Sequence, residues 1–459
     1  MYDEVPLAPE DFPGFFREAT GHEPYPWQES LLNRVLEEGW PQAVAVPTGT
    51  GKTMVVLVAV FLMALKPEAH RRVVYVVNRR LVVDQAYEVA LELRERLKAA
   101  LRTGGDTPLA RAARRLAALG GGVPLEVVRL RGGVPRPRPS LLDPARPAVV
   151  LATVDMAGSR LLFRGYGVSP GLLPVEGALF GVDALYLLDE AHLEAPFLAT
   201  LGTVADRPGP WGRPGVRAVA LTATPESLGG LQAFRLGKED LHHPHLGRIL
   251  SAPRWVHLVA SSPGDRVKDL VAHAQRLHQE LGGPIAVVVN RVGRALEVYQ
   301  ELRRSFPAKD QDGPEEAKVL LLTGRMRPHE RDQNFARTRE LQARLDGGEV
   351  AFVVATQALE VGADLDFAGM VTELPDLASL FQRLGRVNRR GLRQDARVVV
   401  LGEAEPKAEE ARPYPREALQ AAWSWLQALG AEGKAGVDFS PKTLQGNLRK
   451  HPPAPVAFG

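Results

Sequence analysis

The sequence predicts an α/β protein: two tandem parallel-sheet domains followed by a short helical C-terminal segment. Three observations carry this expectation. Short runs of Val, Ile, Leu and Ala recur along the chain, each followed by a stretch of helical spacing, which is how buried parallel strands and crossover helices are written. A glycine-rich turn, Val46-Pro47-Thr48-Gly49-Thr50-Gly51-Lys52-Thr53, joins the first such run to the first apolar helix. The strand–helix alternation then repeats in the second half of the chain without a second turn of this kind.

The 459 residues suit two large domains and a remainder. The expected division is an N-terminal segment at 1–24, a first domain at 25–254 with an insertion at about 101–147, a second domain at 255–402, and the helical segment at 403–459. Hydrophobic residues at 45% and charged residues at 24% describe an ordinary globular chain. The absence of cysteine excludes disulfides, thiolate zinc sites and thiol catalysis. The first ten residues carry no export signal, and the longest apolar run, Met54 to Leu65, is too short to span a bilayer. A cytoplasmic location with no membrane partner is therefore expected. A net charge of +3 is weak evidence for nucleic acid, because a mixed solvated surface explains it as well.

The glycine-rich turn is built to hold phosphate. Its glycines let backbone N–H groups converge on phosphate oxygens, and the helix that follows adds its positive dipole end. Lys52 is placed for the β- and γ-phosphates and Thr53 for Mg²⁺. A glycine turn that binds nothing is the bland alternative, and the strand–loop–helix context argues against it. Upstream, Phe12, Phe15 and Phe16 mark a segment packed on the first domain. Tyr25-Pro26-Trp27-Gln28 then leads into a helix, where the Gln28 amide is placed to read an adenine edge.

Downstream, the run Val73 to Val77 ends in Asn78-Arg79-Arg80, placing Arg79 and Arg80 at a strand's carboxyl end as contacts for a nucleic-acid backbone, or as a solvated basic turn. The insertion holds a helix from Leu109 to Leu119 and a strand from Leu125 to Leu130. The next strand, Ala148 to Thr153, carries Thr153 at its end. Ala184 to Leu188 runs into Asp189-Glu190-Ala191-His192: Asp189 as the metal carboxylate, Glu190 as the base for an attacking water, and His192 as a polar link. A strand from Val216 to Leu221 presents Thr222-Ala223-Thr224, hydroxyls able to bond those carboxylates. Ser227 to Pro253 reads as an interdomain connection, and its His242, His243 and His245 as a solvated loop rather than a metal cage.

In the second half, strands are expected at Ile285–Val289, Val319–Leu322, ending near Arg325, and Val350–Val354, followed by Thr356, Glu360, Gly362, Asp364 and Asp366. Arg383, Arg386 and Arg389 recur every three residues from a helix that includes Gln382. They form either a solvated basic face or arginine fingers that neutralise charge on a transferring phosphoryl group. Val398 to Leu401 closes the second sheet, and an amphipathic helix with Leu419, Trp423 and Leu426 follows.

Taken together, Gln28, Thr48–Thr53, Asp189–His192, Thr222–Thr224, Ala355–Asp366 and Gln382–Arg390 resemble the ordered motifs of superfamily 2 helicases. Val46, where the strict phosphate-loop pattern has Gly, is typical of that group. Within it, Asn78–Gln85, Gly158–Leu162, Leu188–His192 and Gln382–Arg390 resemble the helicase component of the type I CRISPR helicase-nuclease, with the I-U (also called I-G) branch as the narrower expectation. The resemblance implies two RecA-like domains with ATP and Mg²⁺ between them, and 3′→5′ movement on single-stranded DNA after recruitment to the R-loop of a guide-RNA surveillance complex. Lys52, Asp189, Glu190, His192, Arg386 and Arg389 would then be catalytic, with Thr53 and Asp189 holding the metal. Gln28, Thr48, Gly49, Thr50, Gly51, Lys52, Thr53, Gly362 and Asp364 would bind nucleotide. Arg79, Arg80, Thr153, Arg325 and Thr356 would touch DNA, while Thr222, Thr224 and Gln382 would couple the two activities.

The sequence departs from that family in one respect. The family's nuclease domain carries a His-Asp dipeptide, and none of the 11 histidines here precedes Asp. DNA cleavage is therefore expected from another domain or another chain. Two alternatives remain open: a different superfamily 2 enzyme, such as an RNA helicase or a restriction-type translocase, and a non-catalytic nucleotide-dependent clamp. Lys52, Asp189, Glu190 and the candidate fingers Arg386 and Arg389 together argue against the clamp.

Overall fold

The computed structural model describes residues 6–78, 80–132, 143–191, 194–205, 207–222, 231–306, 318–323, 340–360 and 365–450. The chain divides into two compact units, Met1–His243 and Pro244–Gly459. This division lies upstream of the expected one at 254/255. The helix Pro244–Leu250 belongs with the second unit because it buries Leu246, Ile249 and Leu250 there. Its Arg248 carbonyl also approaches Gly391 so closely that a Cβ at that position would stand 2.7 Å away.

The first unit is built on seven strands: β1 (Ala43–Ala45), β2 (Arg72–Val77), β3 (Glu126–Leu130), β4 (Ala148–Thr153), β5 (Ala184–Asp189), β6 (Val216–Thr222) and β7 (Ala233–Arg235). They form one sheet in the order β3-β4-β2-β5-β6-β1-β7, parallel throughout. Strands β1, β2 and β4 are buried from end to end, so apart from Arg72 at the start of β2 and Thr153 at the end of β4 they read as apolar runs without alternation. The register pairs Ala45 with Thr222, Asp189 with Leu221 and Tyr75 with Leu187. That register brings the carboxyl ends of β1, β5 and β6 side by side, with Tyr75 of β2 next to β5. The helix Val55–Leu65 is buried from Val55 to Ala64. One reason is the N-terminal helix Phe12–Thr20, whose Phe12 and Phe15 rings stand 5.3 Å and 5.2 Å from Phe61. The expected insertion supplies structural parts of the unit: edge strand β3 and the helix Pro108–Leu119, which packs on the N-terminal helix.

The second unit repeats the plan with β8 (Trp255–Ala260), β9 (Ile285–Val288), β10 (Val319–Leu322), β11 (Phe352–Ala355), β12 (Gly369–Glu373), β13 (Arg397–Gly402) and β14 (Val437–Asp438). The sheet order is β10-β11-β9-β12-β13-β8-β14, parallel except for β14, which pairs antiparallel with β8. Four strands escape the sequence reading: β7, β8, β12 and β14. Central strand β12 is hidden by its opening glycine, which the packing requires. A Cβ at Gly369 would lie 2.8 Å from the Leu281 side chain and 3.0 Å from the Arg397 carbonyl. The expected C-terminal segment is part of this core. Its helix Arg416–Ala428 buries Leu419, Trp423, Trp425 and Leu426, and the Trp425 ring meets Phe381 and Phe439, each at 5.7 Å. Among the described residues, no helix is long and apolar enough to cross a membrane.

Candidate nucleotide site

The glycine-rich turn leaves β1 with the geometry its composition requires. Gly49 and Gly51 have φ of 86° and 81°, left-handed conformations that cost glycine nothing. Thr50 is fully buried, and its hydroxyl closes the turn by donating to the Pro47 carbonyl at 2.7 Å. Its own carbonyl accepts from the Trp27 indole at 3.1 Å. The helix opens as a 3₁₀ turn over Lys52–Met54 and becomes α-helical from Val55. Thr48, Gly49, Gly51 and Thr53 are only partly buried and line this turn.

The Lys52 ammonium lies 2.8 Å from the Glu190 carboxylate and 3.8 Å from Asp189. Asp189 closes β5 and accepts the Glu190 backbone N–H at 3.1 Å. Burial pushes the Asp189 carboxyl above the usual carboxylate range; Lys52 opposes the shift and Glu190 adds to it. Glu190 has φ of 52°, a left-handed conformation that is costly for a residue with a side chain. Such strain persists where surrounding structure holds it, and here the Lys52 pair helps to do so.

Tyr75 was not anticipated as a site residue. It is completely buried on β2, and its hydroxyl donates to Asp189 Oδ2 at 2.7 Å. Burial, reinforced by the Asp189 charge, raises the phenol pKa well above its ordinary value, so it stays protonated. A phenol inside the aliphatic run Val73–Val77 was the available signal. Its meaning depends on the pairing of β2 with β5, which no local pattern reveals.

Gln28 is buried against the turn. Its Oε1 accepts the Tyr25 backbone N–H at 2.8 Å, which assigns the amide orientation because that donor can only meet oxygen. Its Nε2 lies 3.2 Å from where a Cβ on Gly51 would stand. One end of the amide is therefore structural, and the NH₂ group faces the phosphate turn. Asp240 holds the same helix start by accepting the Trp27 N–H at 2.8 Å. Thr222 is fully buried beside the end of β1, as the register requires.

Other expected residues fare differently. Thr153 and Thr356 are 6% and 3% exposed, each preceding a helical turn, which leaves little hydroxyl surface for an open phosphate contact. Arg80 opens the helix Arg80–Thr103. Arg79, His192, Thr224, Arg325, Gly362 and Asp364 lie outside the described residues.

In the second unit the arginine row does not share a helical face. The helix Leu377–Leu384 ends before Arg386 and Arg389. Gln382 is mostly buried on that helix. Arg383, expected on a basic face, is 0% exposed. Its guanidinium pairs with Glu360 at 2.9 Å and donates to Thr372, the Glu373 carbonyl, Asn290 and Tyr414. Arg386 donates to the Leu359 and Glu360 carbonyls at 3.2 Å and 2.9 Å. The Arg389 and Arg390 backbone N–H groups are held by the Asp366 carboxylate at 2.7 Å and 3.2 Å. Burial raises the pKa of that carboxyl.

Residues 25–128 match the family described as DEAD/DEAH box helicase. Residues 281–392 match the one described as CRISPR-associated nuclease/helicase Cas3, C-terminal. A CRISPR-associated helicase Cas3 from Thermoproteus tenax is 32% identical over 146 residues, covering 31% of this chain and 21% of the relative. A CRISPR-associated nuclease/helicase Cas3 from Methanothermobacter thermautotrophicus is 33% identical over 105 residues, covering 23% of this chain and 11% of the relative. These matches therefore span a minor part of each relative's length. Among solved structures, T. fusca Cas3 with AMPPNP superposes with a TM-score of 0.62 at 18% identity, over 96% of this chain and 54% of that one. At that identity the likeness concerns the fold.

Proposed function

We propose that this chain, which resembles the Cas3-type superfamily 2 helicases in both sequence and fold, is an ATP-driven translocase acting on single-stranded DNA in CRISPR interference. The observation that carries the reading is the meeting of Lys52, Thr53, Asp189 and Glu190 at the carboxyl ends of β1 and β5. A triphosphate arriving at the turn competes with Glu190 for the Lys52 ammonium. Once Lys52 turns to phosphate, the Glu190 carboxylate is released to accept a proton from an attacking water.

The Thr53 hydroxyl and Asp189 carboxylate are hard oxygen donors of the kind Mg²⁺ takes together with phosphates and water, so the donor set fits that ion. When bound, the ion would neutralise charge on the β- and γ-oxygens. Gln28 would address the adenine through its NH₂ group. Arg386 and Arg389 are proposed to neutralise charge on the γ-phosphate, with Gly362 and Asp364 also contributing to nucleotide binding. His192, Thr222, Thr224 and Gln382 are proposed to link hydrolysis to movement, and Arg79, Arg80 and Arg325 to grip phosphates. The finer reading is 3′→5′ movement after recruitment to a surveillance-complex R-loop in the cytoplasm, with cleavage coming from a nuclease domain or chain outside these residues. It rests on the likeness to Cas3.

ATP turnover measured alone, with single-stranded DNA, with RNA and with a surveillance complex tests the reading. Stimulation by DNA and not by RNA is expected, and turnover should fall by about 10²–10⁴-fold in Glu190→Gln. Stimulation by RNA alone would favour an RNA helicase. Undiminished turnover in Glu190→Gln would sink the assignment of the site.

A further inference from the structure

We infer that Tyr75 is a positioning residue for the metal–nucleotide site, its phenol holding the Asp189 carboxylate and setting how that oxygen donor faces a bound cation. The inference rests on the nucleotide-site reading above and adds a residue that the helicase motifs do not include. Tyr75 is 0% exposed at the centre of the sheet, and its hydroxyl donates to Asp189 Oδ2 at 2.7 Å. The Asp189 carboxylate that accepts this hydrogen bond is thereby held in one rotamer.

The contrast with Tyr186 separates this role from ordinary core packing. Tyr186 is equally buried on β5, but its hydroxyl donates to the Phe180 backbone carbonyl at 2.8 Å. A buried tyrosine usually satisfies its hydroxyl in that way. Tyr75 instead commits its hydroxyl proton to Asp189, a residue proposed to hold the cation.

The test uses the full chain with Mn²⁺ as a spectroscopic stand-in for Mg²⁺. Mn²⁺ affinity of the ADP-bound protein is read by electron paramagnetic resonance, and metal-free binding of a fluorescent ADP is measured in chelator. Tyr75→Phe should weaken Mn²⁺ binding by about 10–100-fold, as loss of a partner to a metal ligand does, while metal-free ADP binding stays at the parental level. Tyr186→Phe should change neither. Parental Mn²⁺ affinity in a folded Tyr75→Phe protein would overturn the inference. So would a Tyr75→Phe protein that does not fold or that loses metal-free ADP binding equally, since the phenol would then serve the core. If the parent bound no ADP, the nucleotide-site reading itself would fall, which separates the two failures.

Discussion

Gln28 divides one amide between two tasks. Its oxygen satisfies the Tyr25 N–H at the start of the helix Pro26–Glu38, and its nitrogen faces Gly51. Gln28→Glu keeps the first task and removes the second, since a carboxylate can still accept from Tyr25 but cannot donate. The expected outcome is ATP binding weakened by at least roughly 5–10-fold, the worth of one hydrogen bond, with preference for ATP over CTP reduced, and a lower melting temperature because the new carboxylate is buried. Parallel titrations with fluorescent ATP and CTP check this, and parental selectivity would remove the adenine role. At this scale the sequence was informative wherever chemistry follows spacing. Lys52, Thr53, Asp189 and Glu190 stood out because a phosphate turn and an acid-ended strand are local patterns. Tyr75 did not, because its partner Asp189 lies on another strand. That Gln28 has a structural task was equally hidden, because it depends on a backbone N–H lacking a helical partner.

The helix Leu377–Leu384 stops two residues before Arg386, so side-chain spacing alone gave a wrong face to the arginines beyond it. Its arginine, Arg383, turns inward and joins four separate segments: the loop after β9 through Asn290, β12 through Thr372 and the Glu373 carbonyl, the turn at Glu360, and the C-terminal segment through Tyr414. Glu360 connects this network to the proposed finger, since its carboxylate holds Arg383 while its carbonyl accepts from Arg386. Arg383→Ala leaves Glu360 as an uncompensated buried charge and should cost about 3–5 kcal/mol of stability. Adding Glu360→Leu should recover much of that loss, because the unpaired charge is then gone as well. Urea unfolding followed by tryptophan fluorescence, comparing the single and double variants, decides it. A single variant as stable as the parent would show the pair to be unimportant. Element legibility followed the same logic: β10 was found to the residue, whereas β12 was missed because the glycine its packing requires interrupts the apolar run.

Over the whole molecule, a chain of net charge +3 has little long-range attraction for nucleic acid, so affinity for DNA must come from local phosphate contacts. Binding should then weaken steeply with salt: a single strand held through about five phosphates gives a log–log slope of roughly −3.5. Fluorescence anisotropy of a labelled oligonucleotide over a salt series measures it. A flat dependence would point to base stacking as the main grip and would displace the proposed arginine contacts.

Two repeated parallel sheets and the order of their motifs could be read from the residues alone, because strand burial and helix spacing leave periodic traces and the phosphate turn needs its glycines in fixed places. Three matters were decided only by folding. The division fell at His243/Pro244, the residues after 402 joined the second core, and Tyr75 came to rest against Asp189. Each depends on which distant surfaces meet and in what register. A hydrogen bond across strands or a ring seated in a remote core leaves no periodicity in the chain that makes it.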